Sequence, residues 1–165
     1  MKTSKEKYKN LVLYLCQKCA SKENFGKTLL YKLLYFCDFD YYELYEKPII
    51  GETYIKLDHG PVPRGIEKIL RELKKEDKLK IVETHFHGHK QQKPVSLQEA
   101  DLSVFSGDEL EVIRDVLDKC SHLNAALVSD LSHRDMPWRA TEDNKEIDYE
   151  LVFYRTPETS LASNG

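Results

Sequence analysis

His59, Gly60, Pro61, Val62 and Pro63 fall together in the stretch YIKLDHGPVPRG, and this grouping raises three chemical readings. A histidine beside glycine and proline can mark a catalytic turn, an anion cradle or a stiff corner. The cradle is the weakest, because two prolines remove the backbone N–H groups that an anion nest needs. Gly60 supplies backbone freedom where a strand ends, and Pro61 and Pro63 limit the conformations lost on folding. The stretch therefore reads as a rigid exposed loop, and a rigid loop binds well because little ordering entropy is lost on association. With the adjoining Tyr54 and the exposed part of a tyrosine-rich helix, including Tyr42, it forms a candidate partner-binding face, since tyrosine offers a large rigid area with a polar tip. The competing reading is that Pro61 and Pro63 only start the next helix.

Other groupings carry weaker chemistry. His85, His87 and His89 form an H-x-H-x-H pattern that could bind zinc if all three lay on one strand face. Gly88 is expected to turn the chain between them, which leaves an exposed polar hairpin tip as the favoured reading. Cys16 and Cys19 form a lone C-x-x-C inside an apolar helical pattern, so they read as small core residues. A zinc site would need Cys37 and Cys120 to converge on them. Ser132, His133 and Asp135 are the residue types of a hydrolytic triad, but near neighbours in sequence rarely reach triad geometry, and G-x-S-x-G is absent. No catalytic residue and no cofactor is expected.

The formal net charge of −3 and a pI near 6.1 argue against a protein that coats nucleic acid. A winged-helix-like DNA binder stays open, because a basic-faced helix precedes a hairpin. No apolar run approaches the ~20 residues needed to cross a bilayer. The N-terminal MKTSKEKYKN has no signal-like apolar segment, and the cysteines suit a reducing compartment, so a cytoplasmic location is expected.

The periodicity predicts a helix over 5–20 and a second, apolar almost all round, over 27–45, ended by Pro48. A strand follows over 50–57, with Thr53, Ile55 and Leu57 on one face and Glu52, Tyr54 and Lys56 on the other. A third helix opens at Pro63 and runs to about 76. Its outer face mixes Arg64, Lys68, Arg71, Lys74 and Lys75 with Glu67, Glu72 and Glu76, the pattern of a solvated face with i,i+4 pairs. Strands over 79–86 and 90–97 make a hairpin. Ser106 and Glu109 form a capping box for a fourth helix, and Asn124 caps a fifth over 125–131. The stretch IDYELVFYR suits a strand or a helical turn. The fold class is α+β: one mostly helical domain over 1–155 with a small antiparallel β element, and a mobile tail over 156–165.

The segments KLLYFCDFDYYELYEKPIIGETYIKLDHGPVP and LSHRDMPWRAT resemble the Panacea domain of the antitoxin SocA-like family, whose members include phage-associated proteins. The motif positions are Leu34, Tyr35, Phe36, Asp38, Gly51, Tyr54, Gly60, Pro61, Val62, Pro63, His133, Arg134, Asp135, Pro137 and Trp138. Among these, Asp38, Gly51, His133, Arg134, Asp135, Pro137 and Trp138 are expected to be structural. The resemblance implies a bacterial binding protein of a toxin–antitoxin system, not an enzyme, that neutralises a cognate protein toxin by direct contact. Two alternatives accompany it: an adaptor delivering the toxin to a ClpXP-type protease, and a DNA-binding regulator of its own operon.

Overall fold

The computed structural model describes residues 2–121 and 125–162. The elements run α1 (Lys2–Lys18), α2 (Lys27–Tyr45), β1 (Tyr54–Leu57), β2 (Gly60–Pro63), α3 (Ile66–Lys75), β3 (Leu79–Phe86), β4 (His89–Ser96), α4 (Gly107–Ser121), α5 (Ala125–Arg134) and α6 (Met136–Arg139). Short 3-10 helices cover Leu102–Val104 and Tyr149–Tyr154. The architecture is α+β and mostly helical, with two antiparallel hairpins where the sequence suggested one. No helix among the described residues is long and apolar enough to cross a membrane.

Helix α2 is the core of the molecule. Apart from Tyr31, every residue from Leu29 to Tyr41 is buried, because α1, α4, α5, β2 and the final 3-10 helix all pack around it. It spans the expected 27–45 and stops three residues before Pro48. Glu46 adopts a left-handed conformation (φ 58°), and its N–H donates to the Tyr42 carbonyl at 2.8 Å, which closes the helix before the proline.

The stretch read as an exposed loop is a strand. β1 and β2 pair antiparallel, Tyr54 with Pro63 through Leu57 with Gly60, around a turn at Asp58 and His59. Pro61 and Pro63 fit because they occupy the parity whose missing N–H points away from β1. On the other parity, the Arg64 N–H donates to the Thr53 carbonyl at 2.8 Å. The opposite edge of β1 is covered by residues 144–147, with Ile147 N–H donating to Tyr54 O and Asn144 N–H to Lys56 O, both at 2.8 Å. Gly60 has φ +128°, and a Cβ there would stand 3.1 Å from Lys32 Cε, so the position needs glycine for both conformation and space. Pro63 does not open α3, which starts at Ile66 after Gly65.

Among the described residues, the mixed charges of α3 are not paired along the helix. Glu67 is taken by Lys27, Glu72 by Lys5 and Lys9, and Glu76 by Lys9 and Lys78. The β3–β4 hairpin pairs Phe86 with His89 around His87 and Gly88, so the three histidines do not share one strand face, and all are exposed. The capping box forms as read: Ser106 N–H donates to Glu109 Oε1 at 2.8 Å and Glu109 N–H to Ser106 Oγ at 3.1 Å. Helix α5 runs past Leu131 to Arg134, while the proposed Asn124 cap lies outside the described residues. Cys16, Cys19, Cys37 and Cys120 are buried free thiols, and burial pushes Cys19 and Cys120 up to about 11. In the described part of the segment after Arg155, Ser160 Oγ donates to Glu43 Oε2 at 2.5 Å and Leu161 N–H to Glu43 Oε1 at 3.0 Å.

Candidate partner-binding face

Two buried polar clusters fix the outer end of α2. Asp38, with no exposed surface, accepts from Ile50 N–H at 2.8 Å, from Tyr54 Oη at 2.8 Å and from Tyr149 Oη at 3.2 Å. Gly51 and Glu52 N–H groups approach the same carboxylate at 3.5 and 3.4 Å. Burial, against which these donors work, raises Asp38 from 3.8 to about 6. The carboxylate thus gathers the chain after α2, the start of β1 and the last 3-10 helix onto one point. Tyr149 also donates to the Glu52 carbonyl at 2.5 Å, and Tyr8 to Glu52 Oε2 at 2.6 Å.

Arg155 anchors the other side. Its guanidinium donates from Nε and Nη2 to the two oxygens of Asp135 at 2.9 and 3.0 Å, and from Nη1 to Asp40 and Glu43, each at 2.9 Å. Tyr35 Oη donates to Asp135 Oδ2 at 2.7 Å. Burial disfavours the charged guanidinium, but Asp40 and Asp135 outweigh it and raise the arginine above its ordinary value. Glu43, likewise opposed by burial, is held below its ordinary value by Ser160, the Leu161 N–H and Arg155.

Above these clusters lies an aromatic surface. Tyr149 stacks on Phe39 at 4.4 Å and on Tyr42 at 5.2 Å, and Tyr42 meets Phe153 at 5.9 Å. Phe153 is 49% exposed and Tyr154 71%. Leu44 and Tyr45, near the end of α2, are also exposed. Burial, followed by the carboxylates of Glu150, Asp148 and Glu46, raises the Tyr42 phenol. The face has an aromatic centre and an acidic rim.

The expected site residues separate. Tyr42 and Val62 are partly exposed and His59 is exposed at its turn, whereas Gly60, Pro61 and Pro63 are buried. Tyr54 is a correction: it has no exposed surface, because its hydroxyl reaches Asp38 and the Leu34 carbonyl and its ring packs edge-on to Tyr35 and Phe39. Ser132, His133 and Asp135 do not act on one another. Ser132 Oγ and His133 Nδ1–H both donate to the Ser129 carbonyl, at 2.7 and 2.6 Å, while Asp135 serves Arg155 and Tyr35. Arg134 pairs with Asp130 and Glu158. Trp138 is buried between the His133 ring edge at 4.7 Å and Lys56 Nζ at 4.9 Å, and Pro137 is buried beside it. Gly51, left-handed at φ +73°, points its N–H at Asp38. Phe153, Tyr154 and Arg155 were not singled out from sequence. Their one signal is the adjacent aromatic pair preceding an arginine in IDYELVFYR.

Comparison with known proteins places residues 30–139 in a family. The model described as antitoxin SocA-like, Panacea domain, matches residues 30–139, which take in α2 from Leu30 onward, both hairpins and the Asp135–Trp138 corner, and end before the last 3-10 helix. No curated protein and no solved structure matches the chain. With more than half its length covered by that model, the chain belongs to the antitoxin SocA-like, Panacea-domain family.

Proposed function

We propose that this chain is an antitoxin-type protein that binds a cognate protein toxin and silences it by direct contact. The observation that carries the reading is the exposed aromatic group of Tyr42, Phe153 and Tyr154, held on a scaffold that Arg155 and Asp38 make rigid. Aromatic residues exposed together on a fixed surface are the usual anchors of protein interfaces. The acidic rim of Glu46, Asp148 and Glu150 favours a partner surface that is apolar at its centre and basic around it. His59 and Val62 form a second accessible element on the β1–β2 hairpin and are proposed as a lesser contact.

Co-expression with the product of the adjacent open reading frame tests the reading. Restored growth with the toxin level unchanged supports occlusion. Restored growth with a fall in toxin that depends on a ClpXP-type protease replaces occlusion by delivery. No complex and no rescue contradicts both.

A second reading, as a regulator that binds its own operon, has one observation in its favour. Because the acids of α3 are drawn to other elements, Lys68, Arg71, Lys74 and Lys75 make no ion pair among the described residues. A mobility shift of the upstream DNA that is lost on reversing Arg71 and Lys75 to glutamate supports it.

A further inference from the structure

The N-terminus of α2 opens into a cavity of about 520 Å³ between that helix and the tip of the β3–β4 hairpin. Its cationic and polar wall is formed by Lys27, Lys32, His87, His89, Lys90 and Gln91, and no acidic side chain lines it. The helix end itself is uncapped. Gly26 offers no side chain, and the N–H groups of Lys27, Thr28 and Leu29 find no acceptor among the described residues. Such an end carries free donors and the positive pole of a helix of 19 residues.

Lys32 is the second and independent observation. Its side chain is on the apolar core helix and only 4% exposed, yet its ammonium makes no hydrogen bond or ion pair among the described residues. It is not sealed off either. Lys32 lines this cavity, and Thr159 Oγ1 is the one fully enclosed side-chain polar atom without a partner among the described residues. A buried unpaired ammonium is costly unless something of opposite charge meets it. Burial pushes it down to about 8, as an ammonium without a counter-ion should respond. Gly60 makes room for the end of this lysine, since a Cβ there would stand 3.1 Å from Cε and 3.4 Å from Nζ. Lys27 is committed to Glu67, which leaves Lys32 and Lys90 as the available cations.

We infer that this cavity binds a phosphate-bearing small molecule, its phosphate between Lys32 and the first-turn N–H groups of α2. Charge-assisted bonds to an ammonium and to helix N–H groups are the usual way proteins hold phosphate. The volume far exceeds one phosphate and falls in the range of small-molecule sites. Leu29 and Phe86 supply apolar wall for the rest of the ligand, so the class is an organic phosphate of roughly nucleotide size. This site is separate from the aromatic face and does not depend on the toxin reading.

Titration calorimetry of the full chain with pyrophosphate, ADP and adenosine tests the assignment. The expected result is saturable binding of ADP, weaker binding of pyrophosphate and none of adenosine. Lys32→Met should weaken ADP binding by about tenfold or more while holding or raising the melting temperature, since it removes a buried unpaired charge. Thr28→Glu, on an exposed position of the first turn, should also weaken binding and suits the helix pole, so it serves if Lys32→Met does not fold. Absence of saturable binding by both phosphates, or equal binding in the wild type and both variants, overturns the site.

Discussion

Arg155 grips Asp135 by both carboxylate oxygens, at 2.9 and 3.0 Å, with no exposed side-chain surface on either residue. The pair joins the last 3-10 helix to the corner between α5 and α6. Removing one partner leaves the other charge buried. Asp135→Ala should therefore cost about 3–5 kcal/mol of stability, read as a lower urea midpoint. Arg155→Lys keeps the charge but loses the fork and should fall between that variant and the wild type.

Trp138 couples the α6 corner to β1. Lys56 Nζ stands 4.9 Å from its ring and donates to the carbonyls of Trp138 and Thr141 at 2.9 and 3.0 Å. With Trp138 only 6% exposed, Trp138→Ala should destabilise the fold by about 3–5 kcal/mol. An unchanged melting temperature together with lost partner binding would instead make the ring an anchor.

Asp38 sets a pH dependence. Its carboxyl rises from 3.8 to about 6 on folding, so the folded chain holds this proton more tightly than the unfolded chain. The corresponding stability is complete below the unfolded value and is lost as pH rises through about 6, by on the order of 3 kcal/mol. The difference in unfolding free energy between wild type and Asp38→Asn should change over that window and stay flat above it. Carbon-detected NMR of the Asp38 carboxyl should show the midpoint directly, and a midpoint in the ordinary carboxylate range would refute the assignment.

What the sequence made legible is local. Apolar periodicity marked α2 from Lys27 to Tyr45, the Ser106–Glu109 box marked the start of α4, and alternation about a glycine marked the β3–β4 hairpin. The β1–β2 hairpin was missed because Pro61 and Pro63 weaken a strand signal, and only the outer edge of a pair tolerates them. Tyr54 was placed with Glu52 and Lys56 on a polar face, yet residues 144–147 and Asp38 enclose it from parts of the chain that alternation does not see. Arg155 was illegible for the same reason: its partners Asp40 and Glu43 lie on α2, far back in the sequence, and nothing near Arg155 announces them.

The most direct test of the proposed toxin-binding face compares Phe153→Ala, Tyr154→Ala, Tyr42→Ala and His59→Ala with Tyr54→Ala, at equal protein levels. The readouts are melting temperature, affinity for the adjacent gene product and growth rescue. Phe153, Tyr154 and Tyr42 are exposed or half-buried, so each substitution should leave the fold in place and weaken binding by about tenfold, with a matching loss of rescue. His59→Ala should do less, and Tyr54→Ala should unfold the chain because it empties a core position. Full affinity and full rescue in a folded Tyr42, Phe153 and Tyr154 triple alanine variant would contradict the assignment of this face.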